Sequence, residues 1–87
     1  MRKRYQYILK QFFHSQLLHT RSDMGLTQSQ MADLLEMDER SYIELEHGKS
    51  ACSAVTLVLF LTHCCPDPAE FLRSLGRELS AEDERIA

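Results

Sequence analysis

The chain is predicted to be an all-α domain of five helices. Three observations support this. Apolar residues recur at helical spacing along most of its length, residues with good capping side chains stand where those runs begin, and glycine or proline stands where they end. Its 87 residues are enough for one small domain and not two. No repeat, low-complexity stretch or linker divides it.

The first helix is expected over residues 3–24. Tyr5, Leu9, Phe12 (or Phe13), Gln16 and Leu17 follow a 3.6-residue period, and neither Gly nor Pro interrupts them. Gly25 can close it in the left-handed conformation that glycine adopts without steric cost. Thr27 has the form of an N-cap, and Gln30, three residues on, completes a T-x-x-Q capping box. Met31, Leu34 and Leu35 then give one apolar face to a helix of about two turns, too short to persist without tertiary packing. After a break at Glu36 and Met37, Asp38 is the next cap. The helix it opens runs from Glu39 to His47, with Tyr42, Leu45 and Glu46 turned inward and Gly48 stopping it. Two short helices within residues 28–47, joined by a tight turn, have the geometry of a helix-turn-helix.

Ser53 caps a fourth helix over residues 54–64 that is apolar nearly all round. Core burial accounts for Leu57, Phe60, Leu61 and Cys64. Val58 and Leu59 are surplus, and a subunit interface is their expected use. Pro66 ends this helix. Asp67 caps the fifth, Pro68 fits its first position and Glu70 completes a D-x-x-E box. This helix spans residues 68–79, with Phe71, Leu72 and Leu75 inward and Leu79 a turn further on. Residues 80–87 form an acidic tail expected to fray.

Composition narrows the function classes. Hydrophobic residues make up 44% of the chain, yet no run approaches the roughly 20 apolar residues of a membrane span; the longest, Val55–Leu61 with Thr56 inside it, suits a core helix. The basic start, Met1 to Arg4, is followed by polar–apolar alternation and not by the apolar stretch of a secretory signal, so a cytoplasmic protein is expected. Arg2, Lys3 and Arg4 suit a solvated helix start or an arm that contacts phosphate. Three cysteines argue against a disulfide framework. His63, Cys64 and Cys65, with His47 or Cys52, lack the spacing that converges ligands on one metal ion. No Ser, Cys, His or Asp stands in a nucleophile–base arrangement beside an oxyanion-donating loop, so no enzyme, cofactor or small-molecule ligand is expected. The net charge is −3, but residues 1–77 carry nine basic and nine acidic side chains; the deficit lies in the tail, where Glu78, Glu82, Asp83 and Glu84 face only Arg85.

Arg21 four residues before Gly25, then Leu26-Thr27-Gln28, Met31-Ala32, Leu35, Tyr42 and Leu45-Glu46-His47-Gly48-Lys49 form an ordered set. Over roughly residues 17–72 it resembles the Cro/repressor-type (Xre-like, lambda-repressor-like) helix-turn-helix DNA-binding family, in which Ala32 matches the small residue at the close helix crossing. The resemblance implies a compact five-helix domain of lambda-repressor-like type and a transcriptional regulator that binds a palindromic operator in double-stranded DNA as a homodimer. By resemblance, bases are read from Glu39, Arg40, Ser41 and Glu44. Arg40 is the strongest of these, because a guanidinium can donate to guanine O6 and N7 together. Thr27, Gln28, His47 and Lys49 match phosphate-contacting positions. Arg21 and Glu46 match a partly buried salt bridge between the first and third helices.

Two departures stand out. Relatives commonly carry Gln, Ser, Thr or Arg where this chain has Glu39 and Glu44, and a carboxylate entering a groove walled by phosphates meets repulsion. Relatives also usually begin the first helix near Phe13; the extra turns here either pack back on the body or join a partner subunit. The acidic third helix and tail favour the alternative that the helix-turn-helix is an antitoxin-like or partner-anchoring protein-interaction module.

Overall fold

Local hydrogen bonding sets each helix boundary. The computed structural model describes the backbone of residues 2–86 and the side chains of residues 2–82, so the acidic side chains expected of Asp83 and Glu84, with Arg85, and the terminal residues Met1 and Ala87 lie outside the described residues. The described residues form α1 (Arg2–Met24), α2 (Gln28–Leu34), α3 (Glu39–Glu46), α4 (Ala54–His63) and α5 (Pro68–Ile86), with no strand among them.

The caps are side chains. Thr27 accepts from the Gln30 N–H at 3.1 Å while the Gln30 side chain accepts from the Thr27 N–H at 2.9 Å, closing both halves of the box. Asp38 accepts from the Ser41 N–H at 2.8 Å, Ser53 from that of Thr56 at 3.1 Å, and Asp67 from that of Glu70 at 3.1 Å. The last box closes on one side only, because the Glu70 carboxylate is engaged with Arg73, Ser74 and Arg77.

The C-terminal ends of α1, α2 and α3 share one pattern. Leu26 N–H bonds to Arg21 C=O and Gly25 N–H to Ser22 C=O, both at 3.1 Å, with Gly25 at φ +66°. Lys49 to Glu44 (2.9 Å) and Gly48 to Leu45 (3.1 Å) repeat it, with Gly48 at φ +75°. These are Schellman motifs, which satisfy carbonyls that a helix end leaves free. A third ends α2, through Met37 to Ala32 (3.0 Å) and Glu36 to Asp33 (3.1 Å). Its left-handed residue is Glu36, at φ +54°, a conformation that costs a non-glycine residue about 1–2 kcal/mol.

Phe13 of α1, Phe60 of α4 and Phe71 of α5 form the aromatic centre of the core. Phe13 meets Phe60 edge-on with ring centroids 5.1 Å apart, and Phe60 and Phe71 are 5.4 Å apart. Leu17, Met31, Ala32, Leu35, Tyr42 and Leu45 extend this core beneath α2 and α3. Burial corrects several expectations. Phe13 takes the deep position and Phe12 packs at the edge, 5.4 Å from Phe71, while Leu9 is 41% exposed. Leu59 packs on the core, so the exposed valines of α4 are Val55 and Val58, one turn apart on one face. Leu72 is half exposed, leaving Phe71 as the buried anchor of α5.

The largest revision concerns the end of the chain. α5 continues past residue 79 to Ile86 as helix, in place of a frayed tail. Glu82 is half-buried and pairs with Arg4 at 3.2 Å, so the extra turns of α1 pack back on the body along α5. No helix among the described residues is long and apolar enough to cross a membrane.

Candidate functional site

α3 has one face against the core and one facing out. Its inner face consists of Tyr42, Leu45 and Glu46, all buried. The i, i+3, i+4 spacing that sends these inward turns Glu39, Arg40 and Glu44 outward, and all three are exposed. Ser41 is half-buried beside them, and its hydroxyl donates to the other carboxylate oxygen of Asp38 at 2.8 Å. These two bonds from Ser41 hold the Asp38 carboxyl below its usual range. His47 and Lys49, just past the helix, are exposed. The structure therefore gathers Glu39, Arg40, Ser41, Glu44, His47 and Lys49 on or beside one short helix.

Glu46 is the polar centre beneath that face, only 1% exposed. Arg21 grips its carboxylate with both arms of the fork, Nε to Oε2 at 2.7 Å and Nη2 to Oε1 at 2.9 Å. The Tyr42 hydroxyl donates to Oε2, and Gln28 Nε2 donates to Oε1 at 3.2 Å. Burial pushes the Glu46 carboxyl up, but the bonds from Arg21, Tyr42 and Gln28 outweigh it and leave the group below its ordinary range. The same contact raises Arg21, while burial and then the Glu46 bond push the Tyr42 phenol far up, so it stays a donor. The remaining arm of Arg21, Nη1, donates to the Leu26 carbonyl at 3.1 Å and fixes the turn between α1 and α2.

Two expected phosphate contacts have other duties here. Thr27 uses its oxygen as the cap of α2, and Gln28 is half-buried and hydrogen-bonded to Glu46. Each keeps an unused donor, the Thr27 hydroxyl proton and the second N–H of the Gln28 amide.

The sequence reading missed His14. Its Nδ1 meets the main-chain carbonyl of Glu46. The available signal was spacing: His14 lies seven residues before Arg21, two helical turns along the same face of α1.

A cavity of about 790 Å³ runs between α1 and α5 past Lys3, Arg4, Tyr7, Gln11, Glu78 and Glu82. Beside α3 lies a smaller hollow of about 280 Å³ bordered by Met37, Ser41, Glu44 and the loop to α4. The cysteines are free, and burial pushes the Cys52 thiol up to about 11 and raises Cys64 as well, so neither is a thiolate at neutral pH. No family model, curated protein or solved structure matches this chain.

Proposed function

We propose that the protein is a sequence-specific regulator of transcription, a helix-turn-helix of lambda-repressor-like type that binds a palindromic operator in double-stranded DNA as a homodimer in the cytoplasm. The observation that carries this reading is the contrast between the two faces of α3. The inner face is fixed through Glu46 to α1 and α2, and the outer face, with Arg40 exposed, stands clear of the body. A helix held in this way fits the major groove, about 12 Å wide, and its first two turns reach base edges. Arg40 reads guanine, with Glu39, Ser41 and Glu44 beside it. His47 and Lys49 take phosphates, joined by the free donors of Thr27 and Gln28.

The test is selection of bound duplexes from a random library, followed by a salt titration on the selected sequence. A palindrome with half-sites about one helical turn apart is expected, with affinity falling steeply as salt rises. Arg40→Ala should reduce discrimination at one base position by about 1–3 kcal/mol. Failure to select any duplex at low salt would sink the reading.

One observation favours a second reading. Asp33, Glu36, Asp38, Glu39 and Glu44 are all exposed on α2, α3 and their connecting turn, around Arg40. A surface of that sign suits a basic protein partner, and such a module shows no duplex affinity even at low salt.

A further inference from the structure

We propose that His14 is a positioning residue for α3, holding the C-terminal end of that helix through the main chain of Glu46; its consequence for DNA rests on the reading of α3 as the base-reading helix. Four carbonyls at a helix C-terminus have no partner within the helix. In α3 these belong to Ile43, Glu44, Leu45 and Glu46. His47 N–H takes the first at 3.0 Å, Lys49 N–H the second and Gly48 N–H the third. The Glu46 carbonyl is left, and His14 Nδ1 is the group that meets it. A carbonyl can only accept, so Nδ1 carries the proton. Gly48, two residues past Glu46, packs beside His14 in ordinary van der Waals range. A Cβ placed on Gly48 would lie 3.6 Å from the His14 Cβ and 3.7 Å from Gln11 Nε2.

Glu46 is therefore held at two points from one face of α1, its side chain by Arg21 and its main chain by His14. Arg21 and its partners fix where the carboxylate sits. The His14 bond controls the last turn of α3 and the direction in which the chain leaves it, toward His47 and Lys49.

The test uses the full-length chain with His14→Leu, which removes the donor, and His14→Asn, whose amide nitrogen occupies the position of Nδ1. In the wild type, imidazole nitrogen shifts should report the proton on Nδ1. In His14→Leu the amides of His47, Gly48 and Lys49 should exchange about tenfold faster, as loss of one hydrogen bond predicts, and His14→Asn should restore the wild-type rates. The preference for selected over scrambled duplex should fall about tenfold in His14→Leu and recover in His14→Asn. An Nδ1 that carries no proton, or unchanged exchange in His14→Leu, overturns the proposal. If His14→Leu does not fold, the wild-type tautomer and the exchange rates of His14→Asn decide it. If the wild type selects no duplex, the DNA reading falls, and tautomer and exchange still decide the role of His14.

Discussion

At the scale of single residues, Glu46 concentrates the most risk in the fewest atoms. It is buried, ionised and satisfied by three side chains at once. Removing Arg21 leaves that carboxylate without its counter-charge, so Arg21→Ala should cost about 3 kcal/mol in urea denaturation, at the lower end for a buried pair because Arg21 is itself partly exposed. The pH dependence follows in sign. A carboxyl held below its unfolded value of 4.5 contributes stability that is fully present above that value and is lost as pH falls through the folded one. The advantage of the wild type over Glu46→Gln should thus be constant near neutrality and shrink below about pH 4.5, which thermal melts at pH 7 and pH 3 will measure. An equal advantage at both would show that Glu46 is not held ionised.

At the scale of elements, α3 carries a conflict between its shape and its charge. Glu39 complements the helix dipole near the N-terminus, and under the proposed DNA reading it would, with Glu44, also repel the phosphates that Arg40 would have to approach. Converting both to Gln should raise affinity for nonspecific duplex by roughly three- to tenfold at low salt, read by fluorescence anisotropy. No change would mean that these side chains do not face the groove. Much of this was legible in the chain. The caps Thr27, Asp38 and Ser53, the stops Gly25 and Gly48, and the inward set Tyr42, Leu45 and Glu46 are local or periodic signals, and such signals survive folding. Contacts between helices left less trace. Glu36 in the left-handed region carries no compositional mark, because the motif that ends α2 there is written in main-chain bonds. The exposure of Leu72 and the packing of Leu59 depend on how α4 and α5 are rotated against the body, which periodicity within each helix does not fix. Likewise, the continuation of α5 to Ile86 comes with the pairing of Glu82 and Arg4, a contact that no short window of sequence contains.

For the whole molecule, the question is what the apolar surface is for. Val55 and Val58 of α4 are 71% and 57% exposed, side by side, and Tyr7 of α1 is 64% exposed. A homodimer seated on α4 would cover the valine pair, and Val58→Glu should then shift the sedimentation profile from dimer to monomer while leaving the circular dichroism of the fold intact. An unchanged dimer would move the seat to α1. The embrace of the first helix by the last has a different consequence, for the order of assembly. α1, α2 and α3 are consecutive and joined by turns of a few residues, so bringing them together closes short loops. Docking α5 onto α1, through Phe71 on Phe12 and Glu82 on Arg4, closes a loop of nearly the whole chain. The entropy of that closure grows only slowly with length, but it is regained only after the long-range contacts form. The expected order is therefore a folding nucleus in the three helices around Glu46 with α5 docking last, so that Phe71→Leu should speed unfolding in stopped-flow denaturation and leave the folding rate nearly unchanged.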